Sequence, residues 1–283
     1  MPELPEVETI RSGLALATTQ HQFVDCEVLL ERTIAFPDSL AFQRAIRGQT
    51  LQSWQRRGKY LYCHLSAGVL VIHLRMTGQL KWNCQDEPIS KHTRVRFWCH
   101  GGKELRFDDQ RTFGQMWWIP PDRAIASVIK AWQTLGVEPL SEDFTVPYLS
   151  AQLQDKRQTI KSALLDQTIV AGIGNIYADE SLFLAGVHPL RPCHSLTATE
   201  IAKLHAAIIQ ALQTGLQYGG TTFSSYVDSN GTRGNYLAVA WVFRRRGEPC
   251  RVCGTKIDRV KIAGRSSHFC PSCQPIDEGE YPQ

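Results

Sequence analysis

From about Phe23 to Trp118 apolar residues recur in short runs: VDCEVLL, QTLQSWQRRGKYLYCHL, GVLVIHLRM, TRVRFWCH and KELRFDD. The turn signals AG, TG and HGG separate them. Runs of this length bounded by glycine-containing turns predict strands. Helical spacing in this half is confined to residues 3–17 and 38–46, so the pattern predicts an antiparallel β-sandwich with a helix at its N-terminus. Pro120 and Pro121 end the strand run, and the turn-rich stretch Leu135–Pro147 reads as a linker. Beyond it the period becomes helical over 159–165 and 176–184. Thr197 and Glu200 then form a capping box ahead of Ile201, Leu204, Ile208 and Leu212, which share one face. The expected fold class is α+β and multidomain. It comprises a sandwich over 2–134, a linker over 135–148, a helical domain over 149–235, a finger over 236–275 and a disordered tail over 276–283.

Composition changes this picture little. A chain of 283 residues with 43% hydrophobic content is an ordinary globular protein long enough for two cores. No stretch approaches the ~18 apolar residues of a membrane span, and no secretory signal is evident, so a cytoplasmic location is expected. The formal charge of +4 is unevenly spread. Between Arg233 and Arg265 nine Lys/Arg face only Glu248 and Asp258, a local excess that reads as a phosphate-facing surface.

Five of the nine cysteines, Cys26, Cys63, Cys84, Cys99 and Cys193, are scattered singly and read as buried residues. The other four form Cys250-x-x-Cys253, sixteen residues, then Cys270-x-x-Cys273. Two such turns complete the tetrahedral sphere that Zn²⁺ prefers and leave no open position, so one structural zinc is expected; redox dithiols are the alternative. The residues between the pairs, with Lys256, Arg259, Lys261 and Arg265, read as a β-ribbon presenting Arg265 at its tip, and His268 as a surface or packing residue.

Two further stretches carry alternatives. In AGIGNIYADE two glycines precede a helix, which suits either a phosphate held by free N–H groups or a plain turn capped by Asn175. In MPELPEVETIR proline and acidic residues suit a helix start. Removal of Met1 would also leave Pro2 as a secondary amine.

Six stretches in order, PELPEVE, RRGKYL, LRMTGQL, DDQRTFG, GIGNIYADE and the four-cysteine finger with GRSSHFC, resemble the bacterial formamidopyrimidine-DNA glycosylases from residue 2 to Cys273. The resemblance implies a bifunctional glycosylase and abasic-site lyase acting, as a monomer, on duplex DNA that carries oxidised purines. By that resemblance Pro2 attacks C1′, Glu3 moves protons at the sugar and departing base, and Glu6 orients the amine. Lys59 acts against the lesion or a nearby phosphate and is the rival amine. Met76, Arg111 and Phe113 fill the void left by the extracted base. Asn175 and Arg265 hold the flanking phosphates, Arg265 also counting among the catalytic set, with Lys161, His92 and Tyr177 as further DNA contacts.

GNYLAVAW, within TTFSSYVDSNGTRGNYLAVAWVF, departs from the commoner family pattern in the loop expected to cover the flipped base. The tail QPIDEGEYPQ extends past the usual end. Competing readings are the endonuclease VIII branch, which favours oxidised pyrimidines, and a damage-binding protein without catalysis.

Overall fold

The computed structural model describes residues 1–221 and 234–276. Most of the loop expected over the flipped base, and the tail from residue 277, therefore lie outside the described residues. The chain divides into two units. One takes in Met1–Pro2, Glu6–Gln133 and Gly234, the other Glu3–Pro5, Thr134–Thr221 and 235–276.

The first unit carries α1 (Leu4–Thr18, its first two residues belonging with the second unit), β1 (Phe23–Val28), β2 (Ile34–Phe36), α2 (Ser39–Ile46), β3 (Leu51–Arg57), β4 (Tyr60–Leu65), β5 (Val69–His73), β6 (Gly78–Cys84), β7 (Thr93–Cys99), β8 (Lys103–Asp109) and β9 (Gln115–Ile119). The short helices α3 (Ile125–Val128) and α4 (Lys130–Gln133) close it. Its sheets run β1-β7-β8-β6 and β2-β9-β5-β4-β3. Period-2 alternation makes the layers: in β7, Thr93, Val95, Phe97 and Cys99 are buried while Arg94, Arg96 and Trp98 are less so. Val95, Phe97 and Cys99 join Phe107, Leu61, Leu70, Ile72 and the helical Ile10, Leu14 and Phe42 in one core. The sandwich is antiparallel as expected except where β2 pairs in parallel with β9. A three-residue strand has too few positions to show a period.

His73 ends β5 inside this unit. Burial pushes its imidazole down to about 3, the Arg75 and Lys59 charges adding to the effect, and its Nδ1 accepts the Arg75 N–H at 3.0 Å. The unfolded chain takes up this proton near pH 6.5, so the folded state should keep His73's full contribution above that pH and lose it as pH falls toward 3. A loss of about 3 kcal/mol is expected between pH 6.5 and 4. Denaturant unfolding followed by tryptophan fluorescence should show it, and His73→Asn should flatten it.

The second unit contains α5 (Val146–Leu153), α6 (Ile160–Leu165), α7 (Asn175–Ala185), α8 (Ala198–Gln217), α9 (Tyr236–Val239) and the ribbon β10 (Asp258–Ile262) and β11 (Arg265–Phe269). Hydroxyls start its helices: Thr145 accepts from Tyr148 N, Thr159 from Ser162 N, and Thr197 with Glu200 makes the expected capping box. Helix α7 is buried along nearly all its length and forms the centre of the core with Leu149, Leu164, Leu204, Ile208 and Leu212.

The stretch 135–148 is not a free linker. Phe144 is buried in this core, Val137 pairs with Val170, and a Cβ on Gly136 would lie 2.4 Å from the Ile169 carbonyl oxygen. Among the scattered cysteines Cys26, Cys63, Cys99 and Cys193 are buried, whereas Cys84 is half-buried beside the Lys103 ammonium at 3.1 Å. Among the described residues no helix is long and apolar enough to cross a membrane.

Candidate active site and nucleic-acid interface

The start of α7 is occupied by Glu3. Its carboxylate accepts the N–H groups of Gly174 and Ile176, each at 2.9 Å, and of Tyr177 at 3.2 Å. A carboxylate at a helix N-terminus is held by both these bonds and the macrodipole. The glycines of AGIGN make room for it. A Cβ on Gly174 would lie 2.3 Å from Glu3 Cδ, and one on Gly172, at φ +91°, 2.8 Å from Leu4 Cβ. The phosphate expected at this helix end therefore has no free N–H cradle to enter. The N-cap is Gly174, and Asn175 is the first helical residue.

Asn175 instead donates through Nδ2 to the Ser266 carbonyl at 2.9 Å, next to Arg265 at the exposed tip of the ribbon. One turn on, Asp179 takes the Lys161 ammonium at 2.5 Å on Oδ1, and the His268 N–H and Nδ1, both at 3.0 Å, on Oδ2. Lys161 also donates to the Asn175 carbonyl at 3.0 Å. Lys161 is 0% exposed, and its two bonds brace the turn that carries Asn175. Burial pushes its ammonium down from the ordinary lysine value, while Asp179 and Glu3 pull it back up.

Tyr177 is likewise fully buried, its ring centroid 5.1 Å from that of Tyr236. His268 is the packing residue expected of it, with the added task of tying Asp179 to the ribbon. Glu180, unmarked in the sequence, is fully buried and accepts the N–H groups of Trp241, Val242 and Phe243 together with the Tyr236 hydroxyl. It fixes the path into the finger.

In the first unit Lys59 follows Gly58, at φ +55°, in the turn between β3 and β4, and it is buried where the residue type suggests a solvated turn. Arg56 donates to the Gly58 carbonyl at 3.0 Å and to Glu8 at 3.1 Å, and Glu8 also pairs with Arg11 at 2.7 Å. Glu8 thus sets the Lys59 turn from α1. Pro2 is half-buried and Glu6 buried.

Three turns at one end of the sandwich present the remaining candidates. Met76 is 39% and Phe113 53% exposed, so both side chains are open to a partner at this end. The exposed Arg111 guanidinium lies 5.0 Å from the Phe113 ring centroid. Arg75 (φ +52°) and Thr112 (φ +57°), beside these tips, hold the left-handed conformation that non-glycine residues seldom adopt. His92 is half-buried in the loop leading into β7.

The four Sγ atoms of Cys250, Cys253, Cys270 and Cys273 all lie within 4.8 Å of one another. Contacts of 3.5, 3.5 and 3.9 Å join residues of different C-x-x-C pairs. A tetrahedron with Zn–S near 2.3 Å has edges of about 3.8 Å, so this one cluster fits a single zinc and gives no support to separate dithiols. The Val252 and Cys273 N–H groups point at the sulfurs of Cys250 and Cys270 at 3.4 and 3.5 Å, partners suited to thiolates.

Three family models match the chain: the formamidopyrimidine-DNA glycosylase N-terminal domain over residues 1–116, the H2TH domain of the same glycosylase over 135–227, and the zinc finger found in FPG and IleRS over 247–276. The formamidopyrimidine-DNA glycosylase of Thermosynechococcus vestitus is 55% identical over 278 residues, 98% of each chain. Among solved structures, an FPG variant of Lactococcus lactis in complex with Fapy-dG DNA aligns with TM-score 0.91 at 34% identity, covering 97% of this chain and 100% of that one. The wild-type Lactococcus lactis protein with oxidised-pyrimidine DNA gives 0.90 at the same identity and coverage.

Proposed function

The chain belongs to the formamidopyrimidine-DNA glycosylase family, and on that premise we propose that it excises oxidised purines from duplex DNA and then cleaves the strand. The observation that carries this reading is the Glu3 carboxylate, fixed by three main-chain N–H groups one residue from Pro2.

Removal of Met1 makes Pro2 a secondary amine with a pKa near the ~8 of a chain terminus, partly unprotonated at neutral pH. Its nitrogen attacks C1′ as the N-glycosidic bond breaks, and the electron pair of that bond leaves with the base. Glu3 supplies and retrieves protons at the sugar and the departing group, its position fixed by its backbone partners. The aminal so formed, its nitrogen having lost its proton, opens as the C1′–O4′ bond breaks, its electron pair and a proton from Glu3 going to O4′; the resulting iminium acidifies the 2′ protons. Loss of one expels the 3′ phosphate, and a second elimination expels the 5′ phosphate. Lys59 acts against the lesion or a nearby phosphate, and Glu6 orients the amine.

Met76, Arg111 and Phe113 enter the gap left by the extruded nucleotide, Arg111 reading the orphaned cytosine. His92, Arg265 and Asn175, the last through the Nδ2 hydrogen not given to Ser266, contact phosphates, which gives affinity without sequence choice. The zinc holds the ribbon and takes no chemical step. Acting on chromosomal DNA in a bacterial cell, the enzyme is assigned to the cytoplasm as a monomer.

A second reading includes oxidised pyrimidines, favoured by the similarity to the Lactococcus lactis complex. Duplexes with 8-oxoguanine opposite cytosine and with thymine glycol opposite adenine separate the two. The mechanism is tested by adding borohydride during reaction with the first duplex and locating the linked residue by peptide mass spectrometry. An adduct at Pro2 is expected. An adduct at Lys59 would replace the nucleophile, and none from protein lacking Met1 would remove the lyase mechanism.

A further inference from the structure

Asp109, the last residue of β8, is 1% exposed, and its carboxylate is spent on two of the DNA-facing turns. Its Oδ1 accepts the Thr77 hydroxyl, from the turn that carries Met76, and the Arg111 N–H at 3.2 Å. Its Oδ2 accepts the Gly114 N–H at 2.7 Å, the residue after Phe113. Thr77 Oγ1 closes the figure by accepting the same Arg111 N–H at 3.0 Å. The main chain of Asp109 adds the third turn, donating to the His92 carbonyl at 2.8 Å, while its own carbonyl accepts Arg94 Nε at 2.9 Å.

Gly114 permits this approach, since a Cβ there would lie 2.4 Å from Phe107 Cζ and 3.1 Å from Asp109 Oδ2. Left-handed residues such as Arg75 and Thr112 persist only where their surroundings over-determine them. The Asp109 network is such a surrounding for Thr112, which lies between its partners Arg111 and Gly114.

We propose that Asp109 is a positioning residue that locks the Met76 turn to the Arg111–Phe113 turn and so sets the enzyme's selectivity for the base opposite the lesion. The proposal rests on the functional reading above, in which these three side chains enter the duplex together. A wedge that fills a gap between stacked bases works only if its parts keep a fixed separation. A guanidinium discriminates a base only when its forked donors are held in register. Asp109 touches no nucleotide. It fixes the Arg111 main chain on one side and the Met76 turn on the other.

The test compares wild type, Asp109→Asn and Thr77→Val. The asparagine keeps the shape of the side chain but turns one acceptor into a donor facing a buried N–H; the valine removes only the bridging hydroxyl. Each is assayed on 8-oxoguanine opposite cytosine, 8-oxoguanine opposite adenine, and a single-stranded abasic oligonucleotide, which has no partner base and no gap to fill. The kcat/KM preference for cytosine over adenine is expected to fall roughly tenfold in Asp109→Asn and less in Thr77→Val. Cleavage of the single strand, assayed at a temperature well below every midpoint, should hold near wild type, while the thermal midpoint falls by a few degrees in Asp109→Asn and less in Thr77→Val.

An unchanged preference in both variants would overturn the proposal. A parallel fall on all three substrates would do so too, by showing a merely structural residue. A wild type inactive on every substrate would instead overturn the functional reading itself.

Discussion

Replacing Gly174 by alanine is expected to lower base excision by at least about 100-fold while leaving the zinc and the helical core in place. The residue sits at φ −127°, ψ −158°, extended backbone that alanine adopts without strain, so the main chain has no reason to move. The new methyl would lie 2.3 Å from Glu3 Cδ and 2.5 Å from Oε1, so Glu3 must give way. A displacement of order 1 Å in a catalytic group commonly costs about two decades in rate. Glu3 would also surrender the Gly174, Ile176 and Tyr177 N–H groups that orient it.

Single-turnover release of 8-oxoguanine measures the effect, with zinc content and circular dichroism as controls. Glu3→Gln should be at least as slow, because the amide carries no transferable proton and turns an N–H donor toward the helix end. The two changes act through one group, so Gly174→Ala should add little in the Glu3→Gln background. Near wild-type excision by Gly174→Ala would mean that Glu3 does not act from this position.

The same glycine shows why part of the site was opaque in the sequence. A glycine pair before a helix reads equally well as a phosphate cradle or a turn, because the pattern records only that something must approach the backbone. Here the approaching group is a side chain about 170 positions away along the chain. The burial of Lys161 is opaque for a related reason: basic residue type says nothing about burial, and its partner Asp179 lies on another helix. Asp109 and Glu180 carry no periodic or spacing signal, yet each gathers donors from several segments.

What was legible is local. Alternation marks β7, the Thr197 and Glu200 pair marks the start of α8, and the C-x-x-C spacing marks the metal site, since in each case the partners are near neighbours in the chain. In the turn-rich stretch before α5, composition cannot show that Phe144 is buried. The proposed roles of Pro2 and Lys59 rest on family resemblance, and the Arg56 bonds to Glu8 and Gly58 set the Lys59 turn.

Changing Cys273 to serine, or withdrawing the metal with a chelator, is expected to abolish tight DNA binding. Two strands alone are marginal in water, and β10 and β11 stand on a small cluster of Phe183, Val242, Cys250, Ile257 and Cys270. A structural zinc in such a finger contributes about 10–16 kcal/mol at neutral pH, far more than this cluster supplies, so the ribbon should unfold without it. The loss then spreads inward along named bonds. Asn175 loses the Ser266 carbonyl, and Asp179 loses both His268 donors, leaving the buried Lys161–Asp179 pair less well satisfied. Arg265 is released at the same time, so both proposed phosphate contacts of this unit fail together. Affinity for an abasic-analogue duplex at moderate salt should drop by at least about 100-fold, and the salt dependence of what remains should be shallower as charged contacts disappear. The sandwich has its own core, so its unfolding transition should survive in the serine variant. Retained affinity in metal-free Cys273→Ser would show that the finger is dispensable for binding, and loss of the sandwich transition would show that its fold depends on the metal.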